Sequence, residues 1–190
     1  MGLIDAEVVL HRHRLTVDEY HRMAETGVLA PEARVELIEG ELVDMASIGT
    51  RHAATVKRLL RLVTQAVGGR AIVSVQDPLW LSDRTETQPD LALLKPRDDF
   101  YAGAAPTGSD ALLVVEVADS TSSYDRRIKA PLYAQHGVPE LWIVDLDAGC
   151  VRIMRTPQDG EYRDVTTTAA PGRIDIKAVP GATVDLVALL

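Results

Sequence analysis

Leu112 to Asp145 reads LLVVEVADSTSSYDRRIKAPLYAQHGVPELWIVD, and its opening run, Leu112 to Ala118, decides the fold. Val114, Val115, Val117 and Ala118 make an apolar stretch of the kind covered on both faces of a sheet, and Glu116 stands in its middle. An ionised carboxylate is costly there unless it is neutralised, paired with a cation or bound to a metal. Lys129 is the obvious nearby cation. One predicted strand upstream, QPDLALL places a second acid, Asp90, at the entrance of another apolar run. Two such acids and a lysine suggest a metal site.

The segment from Asp119 to Ser123 offers several N-caps for a helix running through Ile128, Leu132 and Tyr133 to a stop at His136-Gly137. Pro131 lacks an amide hydrogen and clashes with the preceding turn, so the helix either kinks there or restarts with Pro131 in its first turn, with Lys129 near the junction. Glu140 to Asp145 is another buried-type strand. Upstream, Thr16-Val17-Asp18-Glu19 is a capping box that starts a helix ending near Thr26-Gly27. VELIEGELVDM reads as a hairpin around Glu39-Gly40. Apolar residues at Ala53, Val56, Leu59, Leu60, Val63 and Val67 recur at helical spacing, and Gly68-Gly69 ends that helix.

Ala71 to Val75, Trp80 to Leu81 and Leu91 to Leu94 read as strands, with SDRTETQ as a polar loop and Lys95 to Asp110 as a long connection of the functional or mobile kind. Cys150 to Arg155 and Tyr162 to Val165 form a second hairpin around Asp159-Gly160, and Ile174 to Lys177 and Val184 to Leu190 supply a strand and a short terminal element. Helices alternate with groups of strands. The expected fold is an α/β domain over residues 1–190, core roughly 16–155, with a central mixed β-sheet flanked by α-helices and additional β-hairpins.

With only Cys150, no intramolecular disulfide and no two-cysteine metal motif can form. The N-terminus carries an acid early and only a short apolar run, Ala6 breaks the myristoylation pattern, and no later stretch is long enough to span a bilayer. A soluble, cytoplasmic protein without membrane association is expected. The formal net charge of −8 argues against simple polyanion binding. The window from Ala46 to Gln76, however, holds no Asp or Glu while carrying Arg51, Lys57, Arg58, Arg61 and Arg70. Arg51, Lys57, Arg58 and Arg61 are therefore the candidate nucleic-acid contacts, against the alternative of a solvated helix face.

Two carboxylates at the ends of neighbouring strands suit Mg²⁺ or Mn²⁺, which prefer carboxylate, carbonyl and water oxygen. Asp90 and Glu116 are the expected direct ligands, with the Val117 carbonyl completing the set. Lys129, desolvated, is expected to lower its pKa and to orient or deprotonate the attacking water. Glu36, a third acid in an apolar run, could hold the metal through water or bind a second ion.

The ordered set VELIEGELVDM, His52, QPDLALL, LLVVEVADST, Asp125, Lys129, Tyr133 and GVPELWIVD resembles the Uma-two family of restriction endonucleases, members of the PD-(D/E)XK nuclease superfamily. The resemblance runs from Thr16 to Asp145 and rests on the set, since no single piece is specific. It implies a restriction-endonuclease-like sheet flanked by helices, Mg²⁺-dependent phosphodiester hydrolysis with DNA as the expected substrate, and frequently a homodimer. By motif it assigns Asp90 and Glu116 to the superfamily's two acids and Glu36 to its upstream acid. The usual lysine position, two residues after the second acid, is Ala118 here; variants with the lysine on a following helix are the better match and give that role to Lys129.

Plainer readings stand beside each assignment. Glu116 and Lys129 could be a structural ion pair, Asp90 a strand-entry residue after Pro89, and Glu36 and Glu41 a solvated ribbon face. His52 could cap its helix, touch substrate or do neither, and is left out of the catalytic set. Trp142 and Tyr133 read as packing residues, and the HRHR run at His11 to Arg14, which could bind metal or phosphate, reads rather as a terminal segment expected to stay disordered. In the alternative function, a non-catalytic nucleic-acid-binding or dimerisation module keeps the fold; a hydrolase of another phosphoester is the third.

Overall fold

The computed structural model describes residues 12–119, 121–187 and 189. Helix α1 (Val17–Glu25) begins at the expected capping box: the Thr16 side chain accepts from the Glu19 amide, and the Glu19 carboxylate accepts from the Thr16 amide at 2.8 Å. Strands β1 (Val35–Ile38) and β2 (Glu41–Asp44) form the expected hairpin. Its two turn residues both have positive φ, 49° at Glu39 and 79° at Gly40, the handedness that a two-residue hairpin turn needs. Helix α2 (Thr50–Val67) ends on Gly68 in the left-handed conformation.

Strands β3 (Ile72–Ser74), β4 (Leu79–Ser82), β5 (Thr85–Thr87), β6 (Leu91–Leu94), β7 (Ala111–Ala118) and β8 (Glu140–Asp145) come next, then β9 (Cys150–Gln158), β10 (Glu161–Thr168), β11 (Arg173–Asp175) and β12 (Thr183–Asp185). Strand β5 corrects the sequence reading. SDRTETQ is a tight β4–β5 reversal leading into a strand in which Thr85, Glu86 and Thr87 are all buried. The polar composition hid it, but β-branched threonine suits a covered strand, and Glu86 lies opposite Leu37 of β1.

One sheet has the order β2-β1-β5-β4, and α1 covers it by packing Val17 and Tyr20 against Val35 and Leu37 of β1. The larger sheet has the order β10-β9-β8-β7-β6-β3 and is mixed: β7 and β8 are parallel, and the other neighbours antiparallel. The parallel pair requires a crossover. Helices α3 (Ser122–Tyr124) and α4 (Ala130–Gln135) supply it, joined by a π-helical turn, Asp125–Lys129. Pro131 sits in the first turn of α4, where its missing amide hydrogen costs little.

Side chains alternate along β7, which settles which acids meet which helix. Leu113, Val115 and Val117 share a core with Val56, Leu59 and Val63 of α2. Val114 and Ala118 share one with Leu132, Tyr133 and Ala134 of α4. Glu116 has the second parity and therefore points towards α4. At the far end of the sheet, the Lys95 amide donates to the Asp110 carbonyl at 2.9 Å and closes the 95–110 connection. No described helix is long and apolar enough to cross a membrane.

Candidate active site

Glu36 from β1, Asp90 just before β6, Glu116 from β7, and Asp125 and Lys129 from the π-helical turn are all buried and line one cavity of about 180 Å³. That is far more than the roughly 10–15 Å³ that admits a single water. Lys129 joins the two sheets. Its Nζ donates to Glu36 Oε1 at 2.9 Å and to Glu116 Oε1 at 3.2 Å. Tyr133, expected only to pack, donates its hydroxyl to the same Glu116 oxygen at 2.7 Å.

Asp90 is fixed from three sides. His52 Nε2 lies 3.0 Å from Asp90 Oδ2, the Val117 amide donates to the same oxygen at 2.8 Å, and the Gln76 side chain donates to Oδ1 at 3.0 Å. The Val117 contact exists because β6 begins only at Leu91, paired with Val115, so the next amide along that edge of β7 has no strand to meet. In an extended strand a residue's carbonyl leaves on the same edge as its N–H, which turns the Val117 oxygen towards Asp90 as well. Glu36 Oε1 also accepts from the Gln88 amide at 2.8 Å.

Glu116 and Glu36 each use one oxygen for two hydrogen bonds, while no described residue donates to Oε2 of either. Asp90 keeps a lone pair on Oδ1. No three His, Cys, Asp or Glu side chains among the described residues form a ready-made metal cage. A pair of carboxylates with lone pairs to spare, a carbonyl edge and room for water fits Mg²⁺ or Mn²⁺, which keep several waters, better than an ion that needs a full protein shell.

Charge is unbalanced in this cluster, where four carboxylates face one ammonium and one imidazole. Burial pushes the Glu116 carboxyl up to about 8, with Lys129 pulling it down and Asp125, Asp90 and Glu36 adding to the rise. Burial likewise raises Asp125. Lys129 moves opposite to expectation: burial alone would lower its pKa, but Glu116, Glu36 and Asp125 outweigh it and raise it. This lysine is a held cation, which corrects its reading as a proton acceptor. Burial also acts to raise Asp90, but the bonds from His52, Val117 and Gln76 prevail and lower it, and the Asp90 bond raises His52 against its own burial.

The α2 cations sit elsewhere. Lys57, Arg58 and Arg61 are exposed and make no ion pair among the described residues. Arg51 lies 3.4 Å from Asp119 and 3.3 Å from Asp147 and donates to the Leu146 carbonyl, so its charge is already engaged. Glu41 is exposed on β2 and pairs with Arg14 at 2.6 Å. His11 and Ser120 lie outside the described residues. Reasoning from sequence left out His52 and Gln76. His52 falls outside the apolar repeat of α2 and shows only as a piece of the family set; Gln76, at φ 55°, carries no sequence signal.

A family model described as "Uma2: Putative restriction endonuclease" matches residues 17–187. Among solved structures, the crystal structure described as a putative nuclease belonging to DUF820 from Anabaena variabilis aligns with TM-score 0.71 at 16% identity, covering 92% of this chain and 97% of that one. A DrdV–DNA complex aligns over 70% of this chain and 11% of that one, with TM-score 0.39 and 17% identity, too low a score to carry an argument. No curated protein matches the chain.

Proposed function

The chain belongs to the Uma2 family of restriction-endonuclease-type proteins, and from that premise we propose that it is a metal-dependent phosphodiesterase acting on nucleic acid, DNA in the first instance. The observation that carries the reading is the pattern of satisfied and unsatisfied oxygens. Protein donors saturate one oxygen of Glu116 and one of Glu36, leaving the other of each without a described donor, in a cavity where negative charge exceeds positive. A fold that needed these acids only as structural pairs would gain nothing from that surplus.

Asp90 and Glu116 would hold Mg²⁺ or Mn²⁺, with the Val117 carbonyl on the same edge. The ion would polarise a phosphoryl oxygen and stabilise the leaving alkoxide. His52, the Val117 amide and Gln76 keep Asp90 ionised and fix its rotamer. Tyr133 and Lys129 hold the Glu116 side chain in place through its other oxygen, while burial pushes its carboxyl up to about 8. Lys129, held charged, donates hydrogen bonds and steadies the attacking water or the phosphate. Glu36 orients Lys129 from the other sheet. Exposed Lys57, Arg58 and Arg61 are the proposed backbone contacts.

Purified protein should cleave DNA in Mg²⁺ or Mn²⁺, and Asp90→Ala should abolish cleavage while leaving the circular dichroism spectrum intact. Equal rates for wild type and Asp90→Ala on DNA and RNA would overturn the reading. The closed Glu36–Lys129–Glu116 arrangement gives the non-catalytic module its one supporting observation. Calorimetry separates the two: a divalent-cation signal lost in Glu116→Ala belongs to the hydrolase, and no signal in wild type belongs to the module.

A further inference from the structure

Buried polar atoms are nearly always hydrogen-bonded, so each exception asks for a cause. Among the described residues four buried side-chain atoms have no partner: His52 Nδ1, Trp80 Nε1, Thr87 Oγ1 and Tyr124 OH. Only His52 and Tyr124 line the cavity, and His52 already engages Asp90 through its other nitrogen. Tyr124 has just its hydroxyl. It directly precedes the π-helical turn that ends in Lys129, and the charges of Glu36, Lys129, Asp125 and Glu116 all act on it.

The neighbouring acids are served by other donors. Glu116 takes Lys129 and Tyr133, Glu36 takes Lys129 and the Gln88 amide, and Asp125 takes the Thr121 hydroxyl at 2.9 Å. Burial and the surrounding carboxylates push the Tyr124 phenol up to about 12, so at neutral pH it carries its proton. A protonated phenol is the right group for an anion entering a cavity with acidic walls, because it offers a donor without a counter-charge that those walls would hold. Arg34 also lines the cavity, its Nη1 donating to the Ala46 carbonyl at 2.7 Å, and it supplies a cation beside the neutral donor that Tyr124 offers.

Resting on the phosphodiesterase reading above, we propose that the Tyr124 hydroxyl is a substrate-contacting catalytic residue, donating a hydrogen bond to a non-bridging oxygen of the phosphate under attack. The contact would bind the phosphate and strengthen as charge builds on its oxygens. No bond to Tyr124 forms or breaks.

The test compares wild type, Tyr124→Phe and Asp90→Asn in three measurements: Ca²⁺ affinity by calorimetry, affinity for a short single-stranded DNA oligonucleotide in Ca²⁺ by fluorescence anisotropy, and Tm. Tyr124→Phe should leave Ca²⁺ affinity and Tm unchanged and weaken oligonucleotide binding about 10- to 100-fold, the worth of one hydrogen bond to a charged group. Single-turnover cleavage in Mg²⁺ should fall by at least that factor. Asp90→Asn should lose Ca²⁺ binding. Unchanged oligonucleotide affinity and cleavage rate in Tyr124→Phe, whether or not Tm falls, would overturn the inference while leaving the metal site standing. A wild-type protein that binds no Ca²⁺ overturns the phosphodiesterase reading, and this inference with it.

Discussion

Glu116 stands among like charges in a buried cluster. It is 4% exposed and has Lys129 and Tyr133 as donors on one oxygen, yet its carboxyl is still pushed up to about 8. In the unfolded chain the same group ionises near 4.5. Between those values folding takes up a proton, so stability is fullest below about 4.5 and falls as the pH rises towards 8. Glu116→Gln removes the titration. In chelator, the stability of Glu116→Gln relative to wild type should therefore rise from pH 5 to pH 8, by at most about 1.4 kcal/mol per pH unit. Parallel urea-unfolding curves measure it, and a difference that stays constant with pH would refute it. A divalent cation should reverse the trend for wild type alone. This residue was legible from sequence because an acid in an apolar strand conflicts with its surroundings. His52 and Gln76 were not, since each is ordinary in its stretch of sequence and stands out only through its bond to the distant Asp90, and Tyr124 stands out only by the unpartnered hydroxyl that the fold leaves beside the cavity.

Elements divide along the same line. Strands β6, β7 and β8 were readable from continuous apolar runs, α2 from its repeat and α1 from its capping box. Strand β5 was missed because its polar residues are buried between β1 and β4 rather than exposed. The placement of Lys129 needed the π-helical turn, whose end is marked by the Ala130 amide donating to the Asp125 carbonyl. Pro131 signalled a break there, and where the lysine would aim could be read only in three dimensions. The β1–β2 hairpin brings Glu36 to the cluster, and its turn is tightly closed. Gly40 has φ 79°, and a Cβ there would stand 2.7 Å from Arg14 Cβ. Gly40→Ala should cost roughly 1–3 kcal/mol in urea denaturation, from the left-handed backbone and the clash together. Gly27, with φ 76° and nothing within 4 Å of an added Cβ, serves as the control. Its alanine variant should lose less, and equal losses would show that the Arg14 contact does not matter.

Across the whole molecule, a second buried acid ties the large sheet to the C-terminal segment. Glu140 is 1% exposed and accepts from Arg155 at 2.7 and 2.9 Å, from Trp142 Nε1 at 2.7 Å and from the Lys177 amide at 2.9 Å. It thus pins β8, β9 and the stretch just past β11 at one point. Arg155→Ala leaves that carboxylate short of its cation and should cost about 3–5 kcal/mol, whereas replacing both partners with apolar residues of similar volume should cost much less. Thermal unfolding of the single and double variants decides it, and equal losses would contradict this account of Glu140. Glu140 differs from Glu36 and Glu116 in having both oxygens bonded, and from Asp90 in having a guanidinium among its donors.

The parallel pairing of β7 with β8 also has a consequence in time. A chain emerging from the ribosome presents Glu36, Asp90 and then Glu116 before Lys129, and the strand that pairs with β7 along Val114 to Ala118 emerges later still, from Leu141 to Asp145. Until Asp145 has cleared the exit tunnel, β7 lacks its neighbour, and the acids lack the crossover that carries their cation. The growing polypeptide therefore cannot assemble the Glu36–Lys129–Glu116 cluster until β8 is free to pair, so the order of synthesis delays the site until the sheet can close around it.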